Sequence, residues 1–340
     1  MKKNQSQAIQ IYLLKQISKH PKDIVAKACA HFKVTRTTVL RHMHYLIERG
    51  QVIKTGNTRQ SHYVLADAMQ RQFIFPIDTK FEEFELHQQY VVPFVQQYVN
   101  QNAADILEYV VTEMLNNCKD HANASRVKLA ITVDGRYIDV TIEDDGIGAL
   151  ANLGQALDIQ DPREVILELS KGKMTSDPNN HTGEGIFFSS RACDQFSLSA
   201  NGYCYLRDNQ INDWQFVSTD FNQGTQFHFL IDRKTQTDLT HIFAAYQNDE
   251  SLSFNTTEVV VALSKLQGER LISRSQAKRV ARHLDQFERV ILDFSHVRTI
   301  GQGFVDELFR VYQNQRPHLQ FTYQNAHADV RFMIERGRPK

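Results

Sequence analysis

Glu113-Met-Leu-Asn-Asn117, followed by Asp144-Asp-Gly-Ile-Gly148 and then by Thr182-Gly-Glu-Gly185, is the part of this chain whose reading decides its fold. A carboxylate and an amide four residues apart on a helix share a face. Glu113 is therefore placed to orient an attacking oxygen, and Asn117 to hold a magnesium ion beside phosphates. Three short signals in this order point to one nucleotide pocket, and the nucleotide they suggest is ATP.

Around this core, residues 103–122 read as one helix with an apolar stripe of Leu107, Val111, Met114, Leu115, Cys118 and Ala122, while Glu113, Asn117 and Asp120 fall on another face. Residues 126–133 and 136–143 alternate apolar and polar around Asp134-Gly135, a hairpin signal. The second strand delivers Asp144 to its tip, where it could accept a hydrogen bond from an adenine amino group. Gly146 and Gly148 then let the backbone turn close to a ligand.

Farther on, Gly183 and Gly185 precede a helical stretch from Ile186 whose amino end offers N–H groups to phosphate. Gly224-Thr225 opens the alternating strand 226–231, with the Thr225 hydroxyl in reach of the pocket. Between Gly148 and Gly183 lie a helical stretch, 162–170, and then Lys171-Gly-Lys-Met-Thr-Ser-Asp-Pro, read as a lid. Lys171 or Lys173 could extend to the γ-phosphate, or both are solvated lysines on a mobile loop.

Together these pieces resemble the GHKL ATPase fold shared by gyrase, the heat-shock chaperone, histidine kinases and MutL, over roughly residues 80 to 232. The resemblance implies Glu113 as general base, Asn117 as Mg2+ ligand and Asp144 as adenine reader. It also implies Gly146 and Gly148 as the turn under the nucleotide, Gly183 and Gly185 as phosphate-loop residues, and Thr225 as a supporting contact. Lys173 is added as a phosphate contact, and ATP with Mg2+ are the expected cofactors.

The amino-terminal end is basic: residues 1–65 carry 12 Lys and Arg against 2 acidic residues, leaving 27 against 37 for the remainder of a chain with no formal net charge. One end is thus suited to meet an anion. Helical spacing over 8–19 and 23–32 precedes a third helix capped by Thr35 and ending before Gly50. Its stripe of Val39, Met43, Leu46 and Ile47 leaves Thr37, Thr38, Arg41, His44 and Tyr45 outside. Two strand-like runs, 51–54 and 62–65, flank a Gly-Asn-Thr-Arg turn. This resembles a bacterial winged helix-turn-helix, which implies double-stranded DNA as a partner and Arg36, Thr37, Arg41, Lys54 and Arg59 as its contacts. A small helical domain that binds protein is the alternative.

In the last third, residues 258–263, 289–294 and 319–323 look like strands and alternate with helices beginning near Ser273, Gly303 and Ala328. Ser273 and Gln276 have capping-box spacing. The segment 292–304, Leu-Asp-Phe-Ser-His-Val-Arg-Thr-Ile-Gly-Gln-Gly-Phe, resembles the central strand-loop-helix of STAS domains. Gly301-Gln-Gly303 stands where a phosphorylatable serine is expected, so docking or dimerisation is the better reading, with Asp306, Glu307 and Arg310 as surface contacts.

The expected architecture is therefore α/β (α+β), with a winged helix at 1–70, a GHKL α/β sandwich at 78–235 and a STAS-like α/β domain at 250–340. No stretch approaches the roughly 18 uninterrupted apolar residues of a membrane span, and the start Met-Lys-Lys-Asn-Gln-Ser lacks a secretion signal's apolar core, so a cytoplasmic protein is expected. Cys29, Cys118, Cys193 and Cys204 form no C-x-x-C pair, lie inside regular elements and read as reduced core residues. Two functions follow. One is an ATP-switched transcription regulator, with slow ATP hydrolysis and a homodimer as open options. The other is a serine/threonine protein kinase of anti-sigma type acting on a protein partner. A histidine kinase is disfavoured, since the stretch just before the ATPase offers only His87, which reads as an ordinary helix residue, and Pro93 stands at the wrong interval for a phosphoacceptor box.

Overall fold

A computed structural model describes residues 2–17, 19–49, 51–55, 62–65, 69–175, 182–248, 253–264 and 270–337. Arg59 with its expected turn, Gly50, and residues 176–181 of the expected lid lie outside the described residues.

The chain begins with α1 (Lys2–Gln16), α2 (Ile24–Phe32) and α3 (Arg36–Glu48), followed by β1 (Val52–Thr55) and β2 (His62–Leu65), an antiparallel pair. Thr35 caps α3 by accepting the Thr38 N–H at 3.3 Å. Ile9, Leu13, Ile17, Ile24, Val39, Met43, Leu46 and Val52 form a core of their own. Their helical spacing is what turns three short helices toward one another.

Next come β3 (Met69–Pro76), then α4 (Glu83–Leu86), a π turn (His87–Val91) and α5 (Val92–Val95), and then the long α6 (Gln101–Asp120). α6 is capped by Asn100, which accepts the Ala103 N–H at 2.9 Å. Its apolar stripe is buried as the periodicity requires; each such side chain contributes about 1.5–3 kcal/mol. β4 (Arg126–Val133), β5 (Tyr137–Asp144), α7 (Ala149–Leu157), α8 (Pro162–Lys171), α9 (Gly185–Ala192), β6 (Gln195–Ala200), β7 (Tyr203–Asp208), β8 (Asp213–Ser218) and β9 (Thr225–Asp232) complete this part. The seven strands form one antiparallel sheet in the order β3-β4-β5-β9-β6-β7-β8. Strand alternation buries Val127, Leu129, Ile131 and Val133 of β4, with α6 packed against β5 and β9 and α9 against β6.

After α10 (Leu239–Tyr246), β10 (Thr256–Val260), β11 (Arg289–Asp293) and β12 (Gln320–Gln324) make a parallel three-stranded sheet. Its helices are α11 (Arg274–Ala281), α12 (Gln302–Val305) continuing as a π stretch (Asp306–Tyr312), α13 (Gln313–Gln315) and α14 (Ala328–Gly337). The first strand is shorter than the sequence predicts, because Val261–Ser264 closes into a 3-10 turn. The Ser273/Gln276 capping box is formed. Every residue of β10 is buried, and the apolar side chains from Phe75 to Ile334 form one continuous core. The mixed α/β architecture thus agrees with the sequence reading, and the C-terminal sheet packs directly on the seven-stranded part. Among the described residues, no helix is long and apolar enough to cross a membrane.

Candidate functional site

Glu113 and Asn117 sit one turn apart on α6 and both line a cavity of about 240 Å³, opposite Gly183 and Gly185. The Asn117 side-chain N–H donates to the Glu113 carbonyl at 2.8 Å, which leaves the Asn117 amide oxygen as the group available to a cation. Gly183 has φ +72°, and Gly185 starts α9 against Glu113: a Cβ on Gly185 would collide with the Glu113 Oε2. The glycine lets the carboxylate occupy the space a side chain would take, and a larger residue would have to displace it.

Asp144 ends β5 and is 4% exposed. Its Oδ1 accepts the Gly146 N–H at 2.9 Å and the Thr225 N–H at 3.1 Å, while Oδ2 is buried without a hydrogen-bond partner. Burial pushes the Asp144 carboxyl above the ordinary aspartate range, against the two backbone bonds and the weaker help of the Cys118 and Thr225 side chains, which favour its charged form. Thr225 Oγ1 accepts the Ala149 N–H at 2.9 Å, and Ala149 is a cavity wall. Gly146 has no room for a side chain because the Ala122 carbonyl closes over it, and Gly148 lies at φ +88° against the Asn201 amide. Glu113, Asn117, Gly183 and Gly185 therefore share one hollow. Asp144, Gly146, Gly148 and Thr225 form a second layer joined to it through Ala149.

Neither lysine of the expected lid lines the cavity. Lys171 is fully buried, paired with Glu168 at 2.8 Å and donating to the Arg282 carbonyl at 2.8 Å. Lys173 donates to the Gln286 carbonyl at 2.9 Å with its ammonium over the Phe287 ring. Both cations are drawn to the C-terminal domain, a destination the local sequence cannot reveal.

Sequence reasoning missed Glu184, which lines the cavity beside Glu113. Burial first, then the charges of Glu184 and Glu83, push the Glu113 carboxyl above the usual glutamate range. Burial raises Glu184 as well. After burial, the charges of Glu113 and Glu184 raise the Tyr109 phenol. The only sequence signal for Glu184 was its position between the two glycines. Among the described residues, no group of three or more His, Cys, Asp or Glu side chains could hold a metal ion.

Toward the amino end, Arg36, Thr37, Arg41 and Lys54 are all exposed, the first three on α3 and Lys54 on β1. At the other end, Asp306 is paired with Arg274 and Arg310, and Glu307 is buried, so Glu307 is not the surface contact the sequence suggested. Its burial follows from the π stretch turning that residue toward α11. Cys118 and Cys193 are buried, Cys29 and Cys204 half-buried, and all four are free thiols.

Residues 102–235 match the family of histidine kinase-, DNA gyrase B- and HSP90-like ATPases, and residues 276–331 match a STAS-like domain of unknown function (DUF4325). A comparison with curated proteins found no match. The chain carries a GHKL-type ATP-binding domain and a C-terminal STAS-like domain.

Proposed function

From a GHKL-type ATP-binding domain as premise, we propose that this protein is a nucleotide-switched regulator of DNA binding. The carrying observation is the hollow in which Glu113 and Asn117 face Gly183 and Gly185, with the unpartnered Asp144 Oδ2 behind Ala149. A dry carboxylate oxygen lacking a donor suits an adenine amino group. The glycine-flanked start of α9 suits phosphate, since glycines expose the backbone N–H groups there.

Mg2+ fits the same charges. Glu113 and Glu184 make the hollow acidic, so a polyphosphate enters at low cost only with a cation, which the Asn117 amide oxygen would hold together with ligand oxygens. When bound, the ion supplies charge neutralisation. Glu113 is the residue that would orient and deprotonate an attacking hydroxyl. The same carboxylate serves water or a serine hydroxyl, so the alternative activity is phosphotransfer to a protein partner.

The three helices and the β1-β2 ribbon at the amino end support the winged-helix reading, with Arg36, Thr37, Arg41 and Lys54 on the exposed side to meet double-stranded DNA, as one copy or as a homodimer. ATP would act by binding two conformations with different affinity. Footprinting of full-length protein with and without Mg-ATP, alongside labelled ATP, tests this. A footprint that changes with ATP supports the switch, label retained on protein favours the kinase reading, and an unchanged footprint rejects the switch.

A further inference from the structure

α9 begins at Gly185 and carries Arg191 in its last turn, and Arg191 is held by the other domain. Its Nη2 donates to Glu258 Oε2 on β10 at 3.0 Å, and Arg207 of β7 reaches the same oxygen at 3.2 Å. Glu258 Oε1 accepts from Gln324 of β12 at 2.6 Å, so both carboxylate oxygens are engaged. All three charged side chains are at least nine-tenths buried. Burial raises the Glu258 carboxyl, but the two guanidiniums outweigh it and hold it below the usual range.

A buried cluster of this kind adds little net stability, because desolvation offsets the attraction. What it provides is direction. Arg191 also donates to the Phe187 carbonyl at 3.1 Å and lies over the Phe187 ring at 3.5 Å, and that ring packs on Phe254 of the C-terminal part. The helix is thereby fixed in rotation and in position along its axis. Its opposite end places Gly185 against Glu113.

We propose that Glu258, a residue of the C-terminal domain, is a positioning residue for the phosphate end of the nucleotide pocket, acting through Arg191 and the helix whose last turn carries it. This rests on the nucleotide reading of the pocket and adds to it a remote determinant: docking of the STAS-like domain sets how tightly phosphates, but not the base, are held. Glu258 touches no ligand in this scheme. The base is read from Asp144 on β5, whose hydrogen bonds run to Gly146 and Thr225.

The test is a comparison of affinities for ATP, ADP and adenosine in full-length protein with Mg2+. Glu258→Gln leaves two buried guanidiniums facing no charge and risks the fold, so Arg191→Met is the companion, leaving one glutamate against one arginine. Circular dichroism checks that each variant is folded, and if Glu258→Gln is not, Arg191→Met decides. The expected result is a loss of ATP and ADP affinity of about fivefold or more, with adenosine unchanged within about twofold. A parallel loss for all three ligands, or no loss for ATP, overturns the proposal. Asp144→Asn in the same assay separates the two readings: unchanged adenosine affinity in that variant overturns the pocket assignment itself.

Discussion

Gly185 and Glu113 are fitted to each other: the carboxylate of Glu113 fills the space a side chain on Gly185 would need. The amino end of α9 and the cavity-facing side of α6 are therefore set against each other by one contact.

Gly185→Ala is expected to push the Glu113 carboxylate aside without unfolding the protein, since the colliding group is the far end of a flexible side chain. ATP turnover should fall about tenfold or more, as expected for a misplaced reacting group, while adenosine affinity holds. Turnover equal to wild type would show that Glu113 is not the working base.

Glu113→Gln should abolish turnover, a loss of about 100-fold to 10,000-fold, and spare nucleotide binding. A general base works only when ionised, and the Glu113 carboxyl is raised by burial and then by Glu184 and Glu83. Wild-type activity should therefore be lost, as pH falls, at a pH above the ordinary glutamate range. Glu184→Gln removes a like charge and should move this acid limb to lower pH, read from kcat profiles of the two proteins.

Asp144→Asn replaces the unpartnered oxygen or one of the two accepted backbone bonds with an amide. Adenine nucleotide affinity should drop by about 5-fold to 150-fold, a loss of about 1–3 kcal/mol. Calorimetric titration with ADP measures it, and undiminished affinity would remove Asp144 from base recognition.

His87 is 2% exposed with neither ring nitrogen hydrogen-bonded, and burial lowers its pKa to about 4. The unfolded chain takes up a proton near pH 6.5 and the folded one does not until about 4. Stability is thus lost as pH falls from about 6.5 to about 4, by up to about 3 kcal/mol, and is flat above. His87→Leu should flatten this acid loss in urea denaturation at pH 5 and 7.5. Equal slopes in both proteins would exclude His87 as the cause.

Arg41→Ala in full-length protein should weaken binding to duplex DNA across sequences and lower the salt slope by about one. Lys54→Ala should do the same. A slope that stays at the wild-type value in both would place DNA elsewhere or nowhere on this end.

Much of the fold was legible because its signals are local. The apolar stripe of α6, the Asp134-Gly135 hairpin, the Thr35 cap and the Ser273/Gln276 box depend on residues a few positions apart, and each is formed. Strand β10 was read too long because Val261–Leu263 is as apolar as a strand, and a 3-10 turn buried on all sides looks the same in sequence. His87 was read as an ordinary helix residue, since nothing nearby in sequence marks a ring enclosed by distant elements.

By itself, then, the sequence determined which side chains share a helix face or a strand tip: Glu113 with Asn117, and Asp144 ahead of two glycines. The periods of 3.6 and 2 follow from backbone geometry alone. Only the tertiary structure decided where the charges went. Lys171 and Lys173 turned to carbonyls at Arg282 and Gln286, Glu184 joined Glu113, and Glu258 closed on Arg191 and Arg207. A buried charge takes whichever opposite charge or dipole the packed core brings near it, and that neighbour can lie anywhere along the chain.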